Sequence, residues 1–93
     1  MFAQTFKVPC RLNDQLVIVR DGCGFTAMPS RVKYSTFYVR FGIGVITSYA
    51  LNTPLQVESM TKPHDDYSIG EIQNIVTRHF ETFARRVQSW DTI

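Results

Sequence analysis

Residues 36–49 read TFYVRFGIGVITSY, and this stretch decides how the chain folds. From residue 37 to residue 45, the odd positions are large and apolar, whereas the even positions hold Tyr38, Arg40 and two glycines. An apolar side chain at every second residue is the pattern of a β-strand with one buried face. We therefore expect the core to receive the odd positions Phe37, Val39, Phe41, Ile43 and Val45.

The even positions predict a second face that is not required by the core. Gly42 and Gly44 leave the backbone bare, which either lets the sheet bend or lets another backbone approach closely. Tyr38, Arg40 and Ile46 would then surround a shallow patch. Because tyrosine, arginine and apolar residues are typical of interface cores, we interpret this face as a binding surface.

On the N-terminal side, the sequence predicts more strands joined by short turns. Asp21-Gly22 is the strongest hairpin signal, because a type I′ turn needs a positive φ and Gly22 tolerates one. The apolar positions are even in 31–35 but odd in 37–45, so we expect a bulge or a break near Ser35–Thr36. The predicted strands are 3–12, 16–20, 23–28, 31–35 and 37–45, with turns at Asn13–Asp14 and Pro29–Ser30.

On the C-terminal side, residues 52–67 are rich in turn residues and residues 68–90 have a helical pattern. A short edge strand over 55–60, preceded by Pro54, is compatible with the first of these segments. Ser68 and Glu71 form a capping box, which predicts that the helix begins at this point. The predicted apolar stripe of the helix is Ile69, Ile72, Val76, Phe80, Phe83, Val87 and Trp90.

These elements predict an α+β fold. We expect an antiparallel, strongly coiled β-meander of about five strands, with one long C-terminal amphipathic helix packed across it. The 93 residues form a single predicted domain. Its parts are a β-sheet region over 1–51, a loop with the edge strand over 52–67, and a helix over 68–90.

Composition and charge restrict the class of protein. A hydrophobic content of 44% is high enough for a core, and no apolar stretch is long enough for a membrane span. We find no signal-peptide pattern, so the expected location is the cytoplasm. Residues 1–51 carry a net charge of +4 and residues 52–93 carry −2, so the first half could meet an anionic partner.

The two cysteines do not predict a disulfide or a metal site. Cys10 and Cys23 would lie on strands separated by a third strand, about 9.5 Å apart, which exceeds the roughly 7 Å limit for a disulfide. The cysteine and histidine spacings lack the short clips of structural zinc sites. We expect two reduced cysteines, no metal and no cofactor.

Two histidines are candidates for acid–base chemistry. His79 lies at the edge of the helix stripe, where a histidine bonded to a backbone carbonyl is the favoured interpretation and a catalytic one is the alternative. His64 lies beside Asp65 and Asp66, but these aspartates are also explained by the positive end of the helix dipole. No catalytic residue is predicted, and an enzyme that uses His79 or a cysteine remains the alternative.

The functional hypothesis is stoichiometric binding to another protein. The predicted contact residues are Tyr38 as a rigid anchor and Arg40 as a bidentate donor, with Arg31, Lys33 and Tyr34 as neighbours. Nucleic acid on a basic and aromatic sheet face is one alternative partner, and a second copy of the chain paired through an edge strand is another. In size and lack of motifs the chain resembles small inhibitors and adaptors, many of which come from phages and mobile elements.

Overall fold

The computed structural model describes residues 2–6, 16–30, 32–33 and 35–91, with side chains for 16–30, 32–33 and 35–86. The strands are β1 (Phe2–Phe6), β2 (Leu16–Asp21), β3 (Gly24–Pro29), β4 (Phe37–Phe41), β5 (Val45–Ala50) and β6 (Thr53–Ser59). A 3-10 turn (His64–Asp66) precedes the helix α1 (Ile69–Asp91).

The strands form one antiparallel sheet in which each strand pairs with its neighbour in sequence. The order is β1-β2-β3-β4-β5-β6, so the sheet is a meander with β1 and β6 at its edges. The predicted α+β fold with an antiparallel sheet and one C-terminal helix is therefore confirmed. Six strands are present where about five were expected, and the edge strand begins at Thr53.

The core lies between α1 and one face of the sheet. Burial alternates along β4 and β5, so that every second side chain points towards the helix. Phe37 packs against Phe80 and Phe83 of the helix, with ring centroids 5.3 and 5.4 Å away. In the described part of the predicted stripe, Ile72, Val76 and Phe83 are buried and Ile69 and Phe80 are partly buried; the side chains of Val87 and Trp90 lie outside the described ones.

The capping box forms at the start of α1 as predicted. The Glu71 N–H donates to Ser68 Oγ at 3.2 Å, and the Ser68 N–H donates to Glu71 Oε1 at 3.0 Å. Tyr67 and Ile72, the residues on either side of the box, are both buried in the core. Both capping contacts span only three residues, which is why the sequence alone located them.

The prediction for 42–46 was wrong. Gly42, Ile43 and Gly44 form the turn between β4 and β5, so the chain reverses there instead of bending within one strand. The reversal changes which positions face the core: Ile43 is 82% exposed and Val45 is 45% exposed, whereas Ile46 is buried. Gly44 has a φ of 80°, a value that glycine adopts without strain and that permits this reversal.

The β2–β3 turn also differs from its prediction. Its two central residues are Gly22 and Cys23, because Asp21 pairs directly with Gly24. Gly22 does not have a positive φ, so Asp21-Gly22 is not a type I′ turn. The Asp21 carboxylate instead accepts a hydrogen bond from the Cys23 N–H at 2.8 Å, which holds the turn from its first residue.

Two further segments were misassigned. Val32, Lys33, Ser35 and Thr36 form bends and turns instead of a strand, which provides the expected break before β4. The turn between β5 and β6 consists of Leu51 and Asn52, with φ values of 52° and 64°. Positive φ at both central residues is typical of a type I′ hairpin, although neither residue is glycine, the usual marker of this turn in a sequence.

Candidate protein-binding surface on the outer face of the sheet

One face of the sheet is turned away from α1, and we name it the outer face. Its members alternate with the core residues of each strand, and no other element of the described chain packs on it. Most of its side chains are half-buried or exposed. The outer face comprises Val17, Val19, Asp21, Thr26, Met28, Tyr38, Arg40, Val45, Thr47, Tyr49, Val57 and Ser59.

Strand register aligns the centre of the outer face into a row. Val19 lies opposite Thr26, and Thr26 opposite Arg40. Arg40 lies opposite Thr47, and Thr47 opposite Val57. The row therefore crosses five strands with valines at its ends, threonines between them and a single cation near its middle.

The two tyrosines of this face form a stacked pair. Tyr38 and Tyr49 are direct partners across β4 and β5. Their ring centroids are 4.8 Å apart and the ring planes differ by 18°. Such a pair contributes about 0.5–1.5 kcal/mol beyond area burial, and it fixes both rings in place. Tyr38 is thus held as a half-buried ring on the outer face.

Arg40 is engaged within the sheet. Its Nη1 lies 2.8 Å from Asp21 Oδ2 and its Nη2 donates to Asp21 Oδ1 at 3.0 Å, a bidentate pair. The hydrogen bond from Arg40, with a second from the Cys23 N–H, lowers the pKa of Asp21 to about 2. Thr26 Oγ1 lies 3.5 Å from Arg40 Nη1. The guanidinium is therefore held in one orientation by contacts within its own sheet.

The charge on the outer face is almost completely compensated. Among the described strand residues, Asp21 and Arg40 are the only charged side chains of this face, and they pair with each other. Arg20 and Glu58 belong to the same strands but lie on the helix side, where Arg20 covers the Phe25 ring at 5.0 Å. The outer face is thus a largely uncharged surface of valine, threonine and tyrosine.

The other predicted contact residues have different positions. Lys33 is exposed and lies in the connection between β3 and β4, outside the strands. Arg31 and Tyr34 lie outside the described residues. Asp21, Thr47 and Tyr49 also belong to this surface, and they were not predicted from the sequence. The alternation of side chains along 45–49 would have placed Thr47 and Tyr49 on the same face as Arg40 and Tyr38 if the turn at 42–44 had been recognised.

A buried hydrogen-bond network occupies the opposite, helix-facing side of the sheet. The His79 side chain is fully buried, its Nδ1 2.7 Å from Ser48 Oγ and its Nε2 2.6 Å from Glu58 Oε1. The expected partner of His79, a backbone carbonyl, is therefore wrong, because β5 and β6 present side chains at this depth. The Ser48 hydroxyl in turn donates to the Gln56 carbonyl at 3.4 Å.

Glu58 is ionised in this network. Burial raises its pKa, but hydrogen bonds from His79 and from Arg78 outweigh that effect, so the pKa of Glu58 lies below its ordinary value. A carboxylate acceptor at 2.6 Å requires that His79 Nε2 carry a proton. Ser, His and Glu are the residue types of hydrolytic triads, but Ser48 and His79 have 0% exposure. A substrate would reach them only if α1 moved away from the sheet.

The described residues also bear on metal binding, on the state of the cysteines and on membrane-spanning helices. No three metal-ligating side chains among them come together as a candidate ion site. Cys23 is a free, exposed thiol in the β2–β3 turn, not a buried apolar residue, and Cys10 lies outside the described residues. No helix in the described part of the chain has the length and apolar character needed to cross a membrane.

A small apolar pocket lies between the β5–β6 turn and α1. It is lined by Leu51, Leu55, Phe83 and Arg86, among others, and its cavity volume is about 160 Å³. Ordinary small-molecule pockets start at roughly 300 Å³. The pocket therefore has room for about one side chain.

Comparisons with protein-family models, with curated proteins and with solved structures give no match. The fold class alone does not determine the function of the protein.

Proposed function

We propose that this protein acts by stoichiometric binding to another protein through the outer face of its sheet. The observation that carries the proposal is the composition of that face: valines, threonines and a stacked tyrosine pair surround one internally neutralised ion pair. Depletion of charge at the centre, with tyrosine and arginine present, is the signature of protein interface cores.

Tyr38 and Tyr49 are the proposed anchors. Stacking has already restricted both rings, so a partner that covers them loses little additional side-chain freedom. Tyrosines in such positions are enriched among the residues that dominate binding energy. Their partner would present an apolar concavity that accepts the edges of the two rings.

Arg40 is the proposed polar contact. Two of its nitrogens contact Asp21, yet the guanidinium has five N–H donors and 26% of the side chain remains exposed. A partner carboxylate or carbonyl can therefore be added to the existing pair without breaking it. Arg31, Lys33 and Tyr34 remain predicted neighbours of this contact.

The proposed mode of action is that of an inhibitor or adaptor, which works by occluding or bridging its partner without chemistry. A viral or mobile-element origin remains a prediction. The proposed location is the cytoplasm, on the ground that an exposed free thiol such as Cys23 persists in a reducing compartment. A second copy of the chain is one candidate protein partner.

The test is capture of a partner from the native host, compared between two matched variants. Thr47→Glu puts a long charged side chain at the centre of the outer face, opposite Arg40, where it can pair without disrupting the sheet. Asn74→Glu adds the same group on the exposed side of α1. We expect Thr47→Glu to lose the partner, and Asn74→Glu to retain it at wild-type strength.

The captured protein, once identified by mass spectrometry, should bind the purified chain at a fixed molar ratio in calorimetry. The double variant Tyr38→Ala, Arg40→Ala should also abolish binding. Its melting temperature is measured as well, because loss of the tyrosine stack lowers the stability of the fold. Retention of the partner by Thr47→Glu together with loss by Asn74→Glu would move the site to the helix side near Arg78, Glu81 and Arg85.

A further inference from the structure

Among the described residues, no strand pairs with the outer edge of β6, which is the last strand of the sheet. Met60 N–H donates to the Gly44 carbonyl at 3.0 Å, which identifies this opposite pair as a hydrogen-bonded one. Such pairs alternate along an antiparallel ladder, so Glu58 and Gln56 direct their backbone groups towards β5. Val57 and Ser59 therefore direct their N–H and C=O groups away from the sheet.

The exposed large apolar side chains of the described residues are concentrated near this edge. The exposed large hydrophobic residues of the described chain are Ile43 at 82%, Val45 at 45%, Leu51 at 55% and Val57 at 60%. All four lie in β5, in β6 or in the turns that flank β5. Exposed apolar side chains beside a free edge are typical of strands that pair with another chain.

Two devices that protect an edge, a proline and a bulge opposite Ser48 and Tyr49, are confined to the first part of β6. Residues 53–59 contain no lysine or arginine. Their single charged residue, Glu58, points to the helix side and is bound by His79 and Arg78. Pro54 lies at the start of the strand, where it limits the length of a ladder without blocking Val57 and Ser59.

We propose that two copies of the chain pair β6 with β6 antiparallel, about a two-fold axis at Val57. In this register, Val57 meets the Val57 of the second copy on the outer face. Gln56 then lies opposite Glu58 of the second copy, and its amide can donate to that carboxylate. A shift that centred the axis on Glu58 would bring two carboxylates together, so the charges select the Val57 register.

The dimer continues the six-stranded sheet into one of twelve strands. It uses the edge of the sheet, so it stands independently of the proposed partner binding through the outer face. A ladder of about five residues buries less than the roughly 1,200 Å² of a standard interface, which places the association in the weak, concentration-dependent class.

The test is sedimentation equilibrium of the full chain from about 10 µM to about 1 mM, a range that spans weak affinities. We expect a monomer–dimer equilibrium in wild type. Val57→Lys brings two like charges together at the axis and should weaken the dimer by at least about tenfold. The matched control is Val45→Lys, an exposed valine on the adjacent strand, which should change the affinity by less than about twofold.

A spin label reports the register directly. With Cys10→Ser and Cys23→Ser removing other thiols, a nitroxide on Val57→Cys should show strong dipolar broadening, because directly opposed residues of a hydrogen-bonded pair have Cα atoms about 5.5 Å apart. The same label on Val45→Cys should broaden less. Only monomer at every concentration, a dimer that Val57→Lys leaves intact, or equal broadening at both positions would each overturn the proposal.

Discussion

Arg40 shows how a residue that suits partner binding can already be bound within its own sheet. Its position after Tyr38 in the alternating pattern predicts that it lies on the polar face of a strand, and the structure places it on the outer face. Its pairing with Asp21 was not predictable, because the two residues are 19 positions apart and meet only through the register of three strands.

The Arg40–Asp21 pair predicts a shift in the titration of Asp21. Removing the guanidinium by Arg40→Gln should raise the pKa of Asp21 from about 2 towards its ordinary 3.8. Since the folded-state pKa is the lower one, the pair stabilises the fold above about pH 4, and this contribution is lost as the pH falls towards 2. Carbon-13 NMR of the side-chain carboxyls measures the change.

Glu71 provides an internal control for that titration. Hydrogen bonds from Lys62 and the Ser68 N–H lower the pKa of Glu71 to about 2, far from Arg40 in sequence and on the helix side. Its titration should be identical in wild type and Arg40→Gln. An unchanged Asp21 curve in the variant would mean that the bidentate pair does not persist in solution.

Among the secondary-structure elements, α1 is tied to the far edge of the sheet by His79. Its contacts to Ser48 of β5 and Glu58 of β6 join the helix to two strands through one buried ring. Arg78, its neighbour in sequence, binds the same Glu58 from the surface at 3.3 and 3.4 Å. His79 and Arg78 therefore bind the same Glu58 carboxylate, one in the core and the other at the surface.

This contrast predicts very different costs for two alanine substitutions. His79→Ala removes the buried partner that Ser48 and Glu58 share, and it should reduce the free energy of unfolding by about 2–4 kcal/mol. Arg78→Ala removes a half-exposed ion pair and should cost less than about 1 kcal/mol. Urea denaturation at neutral pH measures both. Equal costs would show that the buried network contributes no more than the surface pair.

Elements defined by local signals were predictable, and those defined by strand pairing were not. The start of α1 depends on residues three apart and was located from the sequence. The Leu51–Asn52 turn depends on Ala50 and Thr53 pairing across a hairpin, which forces two non-glycine residues into positive φ. At Gly24, β4 approaches so closely that a Cβ atom would collide with the Phe41 carbonyl, a constraint that only the folded sheet reveals.

In the described part of the molecule, one ion pair joins the basic half of the sequence to the acidic half, and another lies within the basic half. Two basic residues of the first half are engaged: Arg20 lies 3.7 Å from Asp65, and Arg40 is paired with Asp21. Arg20 and Arg40 also lie on opposite faces of the sheet, so they do not form one basic surface. The half-by-half charge count could not anticipate this, because Asp65 belongs to the acidic half and neutralises a cation of the basic half.

The described outer face is therefore predicted not to bind nucleic acid, because its single cation is already paired. A labelled single-stranded oligonucleotide, titrated at low salt, should show no saturable binding up to about 100 µM, the weak end of typical non-specific affinities. The stacked tyrosines could receive a base, but Arg40 is the only cation beside them on the described outer face and Asp21 neutralises it.

Asp21→Asn removes the carboxylate that competes with phosphate for Arg40, so it serves as the variant in which phosphate binding is easiest to detect. Saturable binding by wild type that weakens with salt, by a slope near −0.7 for each phosphate contact, would replace the protein partner with nucleic acid. Binding by Asp21→Asn alone would instead show that the internal pair is what keeps phosphate off this face.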